Sequence, residues 1–294
     1  MYTVGFVGLG RMGWPMARNI VAAGFPLVGY DADAEITVDF VAENRATAAV
    51  EPADFAAVDV VVTMLPTGRI VREALLDWGD GGIAAHLQPG SVLVDMSSSE
   101  PVGTRELGGR LRGRGIGMVD APVSGGVEKA TDGTLAIMLG TDDAAASIER
   151  AVQVIDAMSA RIFRTGPLGS GHAMKALNNY VAAAGFTAGC EALNAGREFG
   201  LEPEVMVEVL NSSTGRNFST EDTFVKHVLT ERYDTGFTLG LMTKDVGIAA
   251  DLAEELGLPA PVCAAVHARL RDAAEGIGGS RDHSAAITHW AKHP

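Results

Sequence analysis

Through the first half of the chain, short β-branched runs alternate with segments whose apolar positions recur every three or four residues. Tyr2–Val7, Leu27–Tyr30, Val58–Met64, Ser91–Asp95, Gly117–Asp120, Leu135–Leu139 and Arg161–Arg164 read as strands. The segments near 12–23, 34–44, 68–76, 100–114 and 143–157 read as helices. Strand and helix in alternation predict βαβ units and a doubly wound, mostly parallel sheet, an α/β domain over residues 1–163. From about residue 168 the strand signals stop. Helical periodicity then runs to the end, with Pro203, Pro259 and Pro261 marking helix starts or breaks, which predicts an all-α domain over 164–294. The stretch 169–199 predicts one helix, roughly 45 Å long at 1.5 Å per residue, mostly buried and connecting the two domains.

Composition narrows the classes. With 294 residues and 47% hydrophobic content the chain can bury a large core. Its 23 basic and 37 acidic residues give a net charge of −14, which argues against binding nucleic acid or anionic membranes. Any anion must then be held by local features such as helix N-termini. Cys190 and Cys263 lie far apart in apolar helical patterns, so neither a disulfide framework nor a metal site is expected, and a cytoplasmic setting fits. His289 and His293 read as a solvated helix face. The apolar start, Val4 to Leu9, lacks the basic lead-in of a signal peptide, and no uninterrupted apolar run is long enough to span a bilayer.

Three segments carry candidate chemistry. Gly8-Leu9-Gly10-Arg11-Met12-Gly13 sets a G-x-G-x-x-G directly after the first strand and at the start of the first helix. Gly8 permits the tight turn, Gly10 lets a pyrophosphate reach the backbone, and Gly13 lets helix pack on strand. Asp31 ends the second strand, where a carboxylate accepts from ribose hydroxyls and repels a 2′-phosphate. No arginine follows it until Arg45, so NAD is favoured over NADP. Ser124-Gly125-Gly126 follows a later strand and reads either as a backbone nest for a carboxylate or as a plain loop. Gly171, Lys175 and Asn179, four residues apart, share one helix face, where the glycine would let cofactor or substrate approach the backbone closely. Lys175 there is either an acid/base group with a pKa lowered by burial or a snorkelling surface lysine. Lys244, beside Asp245, has the bland reading of a surface ion pair.

In their order, four blocks resemble the β-hydroxyacid dehydrogenase family. They are the glycine turn with Met12-Gly13-Trp14-Pro15-Met16, the Asp120–Gly126 block, the 169–179 segment, and Lys244-Asp245. The resemblance covers essentially the whole chain and implies a Rossmann domain, a long connecting helix, an all-helical C-terminal domain and a site in the cleft between them. It implies Lys175 as general acid/base, with Asn179 orienting substrate or lysine. Ser124, Gly125 and Gly126 would bind the substrate carboxylate. Gly8, Gly10, Met12, Gly13 and Asp31 would hold the cofactor, Leu65 and Pro66 would border its adenosine, and Lys244 would contact it or close the cleft. Ser98 stands where the family usually has a threonine near nicotinamide and substrate. Where NADP-using relatives often carry Asn-Arg-Thr, this chain has Asp31-Ala32-Asp33, which again favours NAD.

The implied activity interconverts a short 3-hydroxy acid and its semialdehyde. Candidate substrates are 3-hydroxyisobutyrate, tartronate semialdehyde and 3-hydroxypropionate, and the sequence does not separate them. Arg216, Asn217 and Phe218 are candidate lining residues. Imine reductases share the architecture but generally lack the lysine, and 6-phosphogluconate dehydrogenase has a much longer helical domain. A non-catalytic NAD-binding scaffold is the rival of another class. The resemblance also implies a homodimer or homotetramer, and gives Asp282-His283-Ser284 packing or interface duty.

Overall fold

The computed structural model describes residues 2–142 and 145–291; residues 143 and 144, which open the helix expected over 143–157, and His293 lie outside the described residues. By contacts the chain divides into two compact units, residues 1–175 and 176–294. The division falls inside the long helix, beyond the 163/164 boundary read from the sequence.

The first unit is built on strands β1 (Val4–Val7), β2 (Leu27–Tyr30), β3 (Ala46–Ala48), β4 (Val60–Thr63), β5 (Val92–Asp95), β6 (Gly117–Asp120), β7 (Val123–Ser124), β8 (Leu135–Thr141) and β9 (Ser159–Gly166). Its helices are α1 (Gly13–Ala22), α2 (Ala34–Glu43), α3 (Gly68–Leu76), α4 (Pro101–Arg112), α5 (Gly126–Thr131) and α6 (Ala145–Asp156). The sheet runs β3-β2-β1-β4-β5-β6-β8-β7, with β9 also on β8. Pairing is parallel from β3 to β6, β8 is antiparallel to β6 and β7, and β9 is parallel to β8. Chain direction away from β1 reverses between β1 and β4, the switch point where doubly wound sheets take ligands.

Central strands are apolar throughout because helices cover both faces. Val60 and Val62 of β4 enter one core cluster, with Phe6, Met16 and Phe40, while Val61 enters the other, with Phe55, Leu75 and Leu93. Full burial of each such side chain stabilises the fold by about 1.5–3 kcal/mol. Several short elements escaped the sequence reading, β3, β7 and α5 among them. β3 has three residues and β7 two, too few to show alternation, and α5 spans a single polar stretch.

The long helix α7 is Ser170–Phe199, as the sequence predicted, and α8 (Pro203–Asn211), α9 (Leu239–Glu255), α10 (Pro261–Ile277) and α11 (Ala286–Trp290) follow it. Pro203 and Pro261 open their helices, where a missing N–H costs nothing. A π-helix, Ser219–Val228, was not expected. The α7 rod is amphipathic rather than mostly buried. Ala176, Ala183, Phe186, Cys190 and Leu193 form its buried stripe, whereas Met174, Leu177, Val181 and Phe199 are exposed. Runs of Ala and Gly look apolar on every face, but only the stripe at helical spacing meets a core. The second core centres on Phe186, with Phe224, His283 and Trp290 rings 5.8, 5.1 and 6.0 Å away.

Candidate functional site

Parallel register aligns the strand ends. Val7 pairs with Tyr30 and with Thr63, Thr63 with Asp95, and Asp95 with Asp120. Across this row, Gly8, Asp31, Leu65, Ser98 and Ser124 each leave the carboxyl end of a strand or the residues just after it, so the fold gathers on one edge what the sequence scatters over 116 positions (8 to 124).

The glycine turn fits a dinucleotide. Gly8 has φ +99°, and a Cβ there would overlap the Met64 carbonyl oxygen, while one on Gly13 would overlap the Gly8 carbonyl oxygen. Only glycine closes this turn. At Gly10, by contrast, no described heavy atom lies within 4 Å of a built Cβ, so a ligand can reach the backbone. No side chain caps the start of α1, so the positive end of its dipole faces the glycine turn uncompensated, which favours an anion there. Asp31 accepts from the Leu9 N–H at 2.7 Å and the Asp33 N–H at 3.0 Å, so its carboxylate is fixed beside the turn. Leu65 is half-buried, its N–H bonded to the Ser97 hydroxyl at 2.9 Å, and Pro66 is exposed beside it.

Serines 97 to 99 divide their duties. Asp95 is buried and accepts from the Thr63 hydroxyl (2.9 Å), the Ser97 N–H (3.0 Å) and the Ser99 hydroxyl (2.8 Å). Ser97 and Ser99 are buried under this carboxylate, and Ser98 between them is half-buried.

A second buried carboxylate sits where α7 begins. Asp120 accepts from the N–H groups of Gly169 and His172, each at 2.8 Å. The His172 Nδ1 lies 2.8 Å from the Thr104 hydroxyl, which donates to the Glu100 carbonyl at 3.0 Å. The His172 Nε2 is buried without a hydrogen-bond partner, 3.7 Å from Asp95 Oδ2. Burial pushes the Asp120 carboxyl above its usual range, against the opposing pull of His172 and of the two N–H groups. Sequence reading assigned no role to His172 or to the Asp120 side chain. The only signal was the place of Asp120 at the head of a recognised block.

Gly171 departs from its sequence reading in cause. A Cβ there would overlap the Met138 carbonyl oxygen and lie 2.8 Å from Asp120 Oδ2. Close approach at Gly171 is therefore by the sheet, not by a ligand. Lys175, one turn on, is half-buried.

Ser124 pairs in β7 with Ala136 of β8, and the chain then turns through Gly125 (φ +141°) and Gly126 (φ +68°). A Cβ on Gly125 would meet the Lys129 side chain at 2.7 Å, whereas Gly126 is open. Side-chain-bearing residues rarely adopt such dihedrals, so the sequence chose glycine for the turn itself.

In the second unit the Asn179 carboxamide donates to Asp245 Oδ2 at 2.6 Å, and Lys244 Nζ lies 3.2 Å from Asp245 Oδ1. The Lys244–Asp245 pair is not a surface pair, since Asp245 is 3% exposed. Sequence reading paired Asp245 with Lys244 alone and did not foresee its bond to Asn179. Asn217, read as a lining residue, caps the π-helix, its Oδ1 accepting from the Ser219 and Thr220 N–H groups at 2.9 and 3.3 Å. Arg216 faces Glu221 at 3.6 Å with both exposed, and Phe218 is exposed. Among the described residues there is no cluster of potential metal ligands, and no helix is long and apolar enough to cross a membrane.

Known proteins match across the whole chain. Residues 3–166 match the NAD binding domain of 6-phosphogluconate dehydrogenase, and residues 169–290 match the NAD-binding domain of NADP-dependent 3-hydroxyisobutyrate dehydrogenase. The chain is 34% identical to 2-(hydroxymethyl)glutarate dehydrogenase of Eubacterium barkeri, over 98% of this chain and 94% of that protein. It is 35% identical to the NAD-dependent L-serine dehydrogenase of Pseudomonas aeruginosa, over 89% of each. The structure of Mycobacterium tuberculosis 3-hydroxyisobutyrate dehydrogenase with L-serine superposes with a TM-score of 0.89 at 32% identity, covering 99% of both chains. Glycine turn, strand-end row and these matches agree: the chain belongs to the β-hydroxyacid dehydrogenase family, oxidoreductases that act on hydroxyl groups with NAD.

Proposed function

We propose that the protein oxidises a short 3-hydroxy acid of the form HOCH2–CHR–COO⁻ to its semialdehyde, and reduces the semialdehyde in the reverse direction. The row of strand ends carrying Gly8, Asp31, Ser98 and Ser124 supports this most directly, because it lines cofactor-binding and carboxylate-binding groups along one edge. The relatives' names point the same way. 2-(Hydroxymethyl)glutarate, L-serine and 3-hydroxyisobutyrate all carry a CH2OH on the carbon next to a carboxylate and differ only in R.

Ser124, Gly125 and Gly126 hold the carboxylate through the Ser124 hydroxyl and backbone N–H groups. That fixes the far end of the substrate and supplies much of the rate by positioning. Lys175 takes the hydroxyl proton on Nζ as the C–H bond breaks, and returns it in reduction. Asn179, its amide nitrogen donating to Asp245 and its oxygen accepting from the Asn178 amide at 3.2 Å, orients substrate or lysine. A bound nicotinamide would supply the acceptor for the hydride and its electron pair. Gly8, Gly10, Met12 and Gly13 bind the diphosphate, Asp31 the ribose hydroxyls, Leu65 and Pro66 the adenosine edge, and Ser98 and Lys244 the nicotinamide end. The fixed Asp31 carboxylate disfavours a 2′-phosphate.

3-Hydroxyisobutyrate is the first substrate of this reading, with tartronate semialdehyde as the alternative. Steady-state rates with 3-hydroxyisobutyrate, L-serine, glycerate, 3-hydroxypropionate and 2-(hydroxymethyl)glutarate, each with NAD and NADP, test it. The expected order has kcat/KM highest for 3-hydroxyisobutyrate with NAD. No turnover with any of them would return the chain to the scaffold reading.

A further inference from the structure

We propose that Asp120 is a positioning residue for the reaction, locking the helix that carries Lys175 and the turn that binds the substrate carboxylate into one frame. The inference rests on the reading of Lys175 as acid/base.

Two helices in the first unit are capped from their own flanking residues, whereas α1, α4 and α5 have no side-chain cap. Asp33 caps α2 and Thr67 caps α3 through side chains adjacent in sequence. The start of α7 has no such resource, because the residue before its first turn is Gly169, with φ +86°. The cap comes instead from Asp120, 49 and 52 residues earlier in sequence, whose two oxygens take the Gly169 and His172 N–H groups. One carboxylate thus satisfies two of the four N–H groups that a helix start leaves unpaired. Its negative charge also faces the positive end of the helix dipole.

Space for this arrangement is cleared on both sides. A Cβ on Gly140 of β8 would lie 2.5 Å from Asp120 Oδ1, 2.7 Å from the Ser170 hydroxyl and 2.9 Å from the Gly171 nitrogen. A Cβ on Gly171 would overlap the Met138 carbonyl oxygen. The first turn of α7 therefore sits directly on the sheet, and its register is set by β6 rather than by its own loop. Asp120 ends β6, and Ser124 follows four residues later with its backbone tied to β8. Lys175 follows His172 by three residues along rigid helix. The Asp120 side chain thus ties the strand that leads into the carboxylate turn directly to the first turn of the helix that carries the lysine.

The test compares Asp120→Asn and Gly140→Ala with Lys175→Ala and with Val154→Ala, a core truncation on α6 away from this network. Asp120→Asn keeps the shape but sets an amide NH2 against one N–H. Gly140→Ala keeps the charge and displaces it, and decides the matter if Asp120→Asn does not fold. Assayed below the melting point of every variant, both should lower kcat about a hundredfold, the cost of a misplacement near 1 Å. NAD dissociation constants should stay within twofold, and amide exchange at Gly169 and His172 should quicken. Val154→Ala should keep kcat within threefold. A kcat within threefold of wild type in either network variant, or an equal loss in Val154→Ala, overturns the positioning role while an inactive Lys175→Ala leaves the lysine reading standing. Turnover retained by Lys175→Ala removes the lysine reading, and this proposal with it.

Discussion

Asn179 and Asp245 meet over 2.6 Å, a carboxamide on α7 donating to a buried carboxylate on α9 that also faces Lys244 at 3.2 Å. The bond uses the amide nitrogen of Asn179 and so decides which way its oxygen points. A residue that the sequence marks only as polar thereby acquires one orientation.

Replacing Asp245 by Ala should therefore loosen Asn179 and remove one partner of Lys244. Leaving a buried hydrogen-bonding group unpaired costs about 1–3 kcal/mol. Thermal melts should show that loss of stability, and kcat should fall at least tenfold. Asp245→Asn, which keeps the volume, should recover most of the stability but not the activity.

Lys175→Ala should lower turnover by about two to four orders of magnitude, the usual contribution of a positioned acid/base group. Fluorescence titration should give NAD affinity within a fewfold of wild type. Turnover close to wild type would end the assignment.

Asp31→Ser should shift the cofactor preference. The substitution removes the carboxylate that repels a 2′-phosphate, and with it the charge-assisted bond from the Leu9 N–H at 2.7 Å. A charge-assisted bond from a ribose hydroxyl to Asp31 would contribute about 1.5–3 kcal/mol, so the KM for NAD should rise roughly ten- to hundredfold. NADP turnover should increase relative to NAD. An unchanged NAD/NADP ratio of kcat/KM would contradict the role.

The same Gly→Ala change should read out differently at two positions. At Gly171 the new methyl overlaps the Met138 carbonyl, and overpacking of this kind costs about 1–3 kcal/mol, visible as a lower melting temperature. At Gly10 there is open space, so Gly10→Ala should melt near wild type while weakening NAD binding. Equal losses of stability in both would contradict the distinction.

Acid should loosen the second unit through His283 before it reaches the carboxylates. Burial lowers the His283 imidazole below its ordinary 6.5, against the opposing effect of Asp282. The folded state therefore resists a proton that the unfolded chain accepts, and stability present above pH 6.5 declines as pH falls through the folded value, by up to about 1.4 kcal/mol per pH unit. Asp282 acts lower. Burial raises its carboxyl, but bonds from Ser284 and Thr235 and the His283 charge outweigh this and lower it below 3.8, so its contribution is lost only as pH falls below that. Melting temperatures from pH 8 to 5 should decline in wild type, and His283→Gln should flatten the slope.

How much of this was legible follows the range of the interactions. Gly8-Leu9-Gly10 and Asp31 could be read because turn, helix start and strand end lie within one βαβ unit, and their demands on residue type are local. The length of α7 and the helix starts at Pro203 and Pro261 were equally local. The capping bonds of Asn217 went unread because a capping asparagine and a lining asparagine have the same residue type. Lys244–Asp245 looked like a surface pair because burial is not written in a two-residue spacing.

The sequence by itself determined the alternation of elements, the dinucleotide turn, the preference for NAD and the helical spacing of Gly171, Lys175 and Asn179. Each of these rests on backbone geometry or periodicity over a few residues. Tertiary structure alone decided that Asp120 caps the helix of Lys175, that Gly171 makes room for Met138 rather than for a ligand, and that Asn179 answers to Asp245. Those contacts join residues between 33 and 66 positions apart. Only the packed sheet and helices bring their partners within bonding distance.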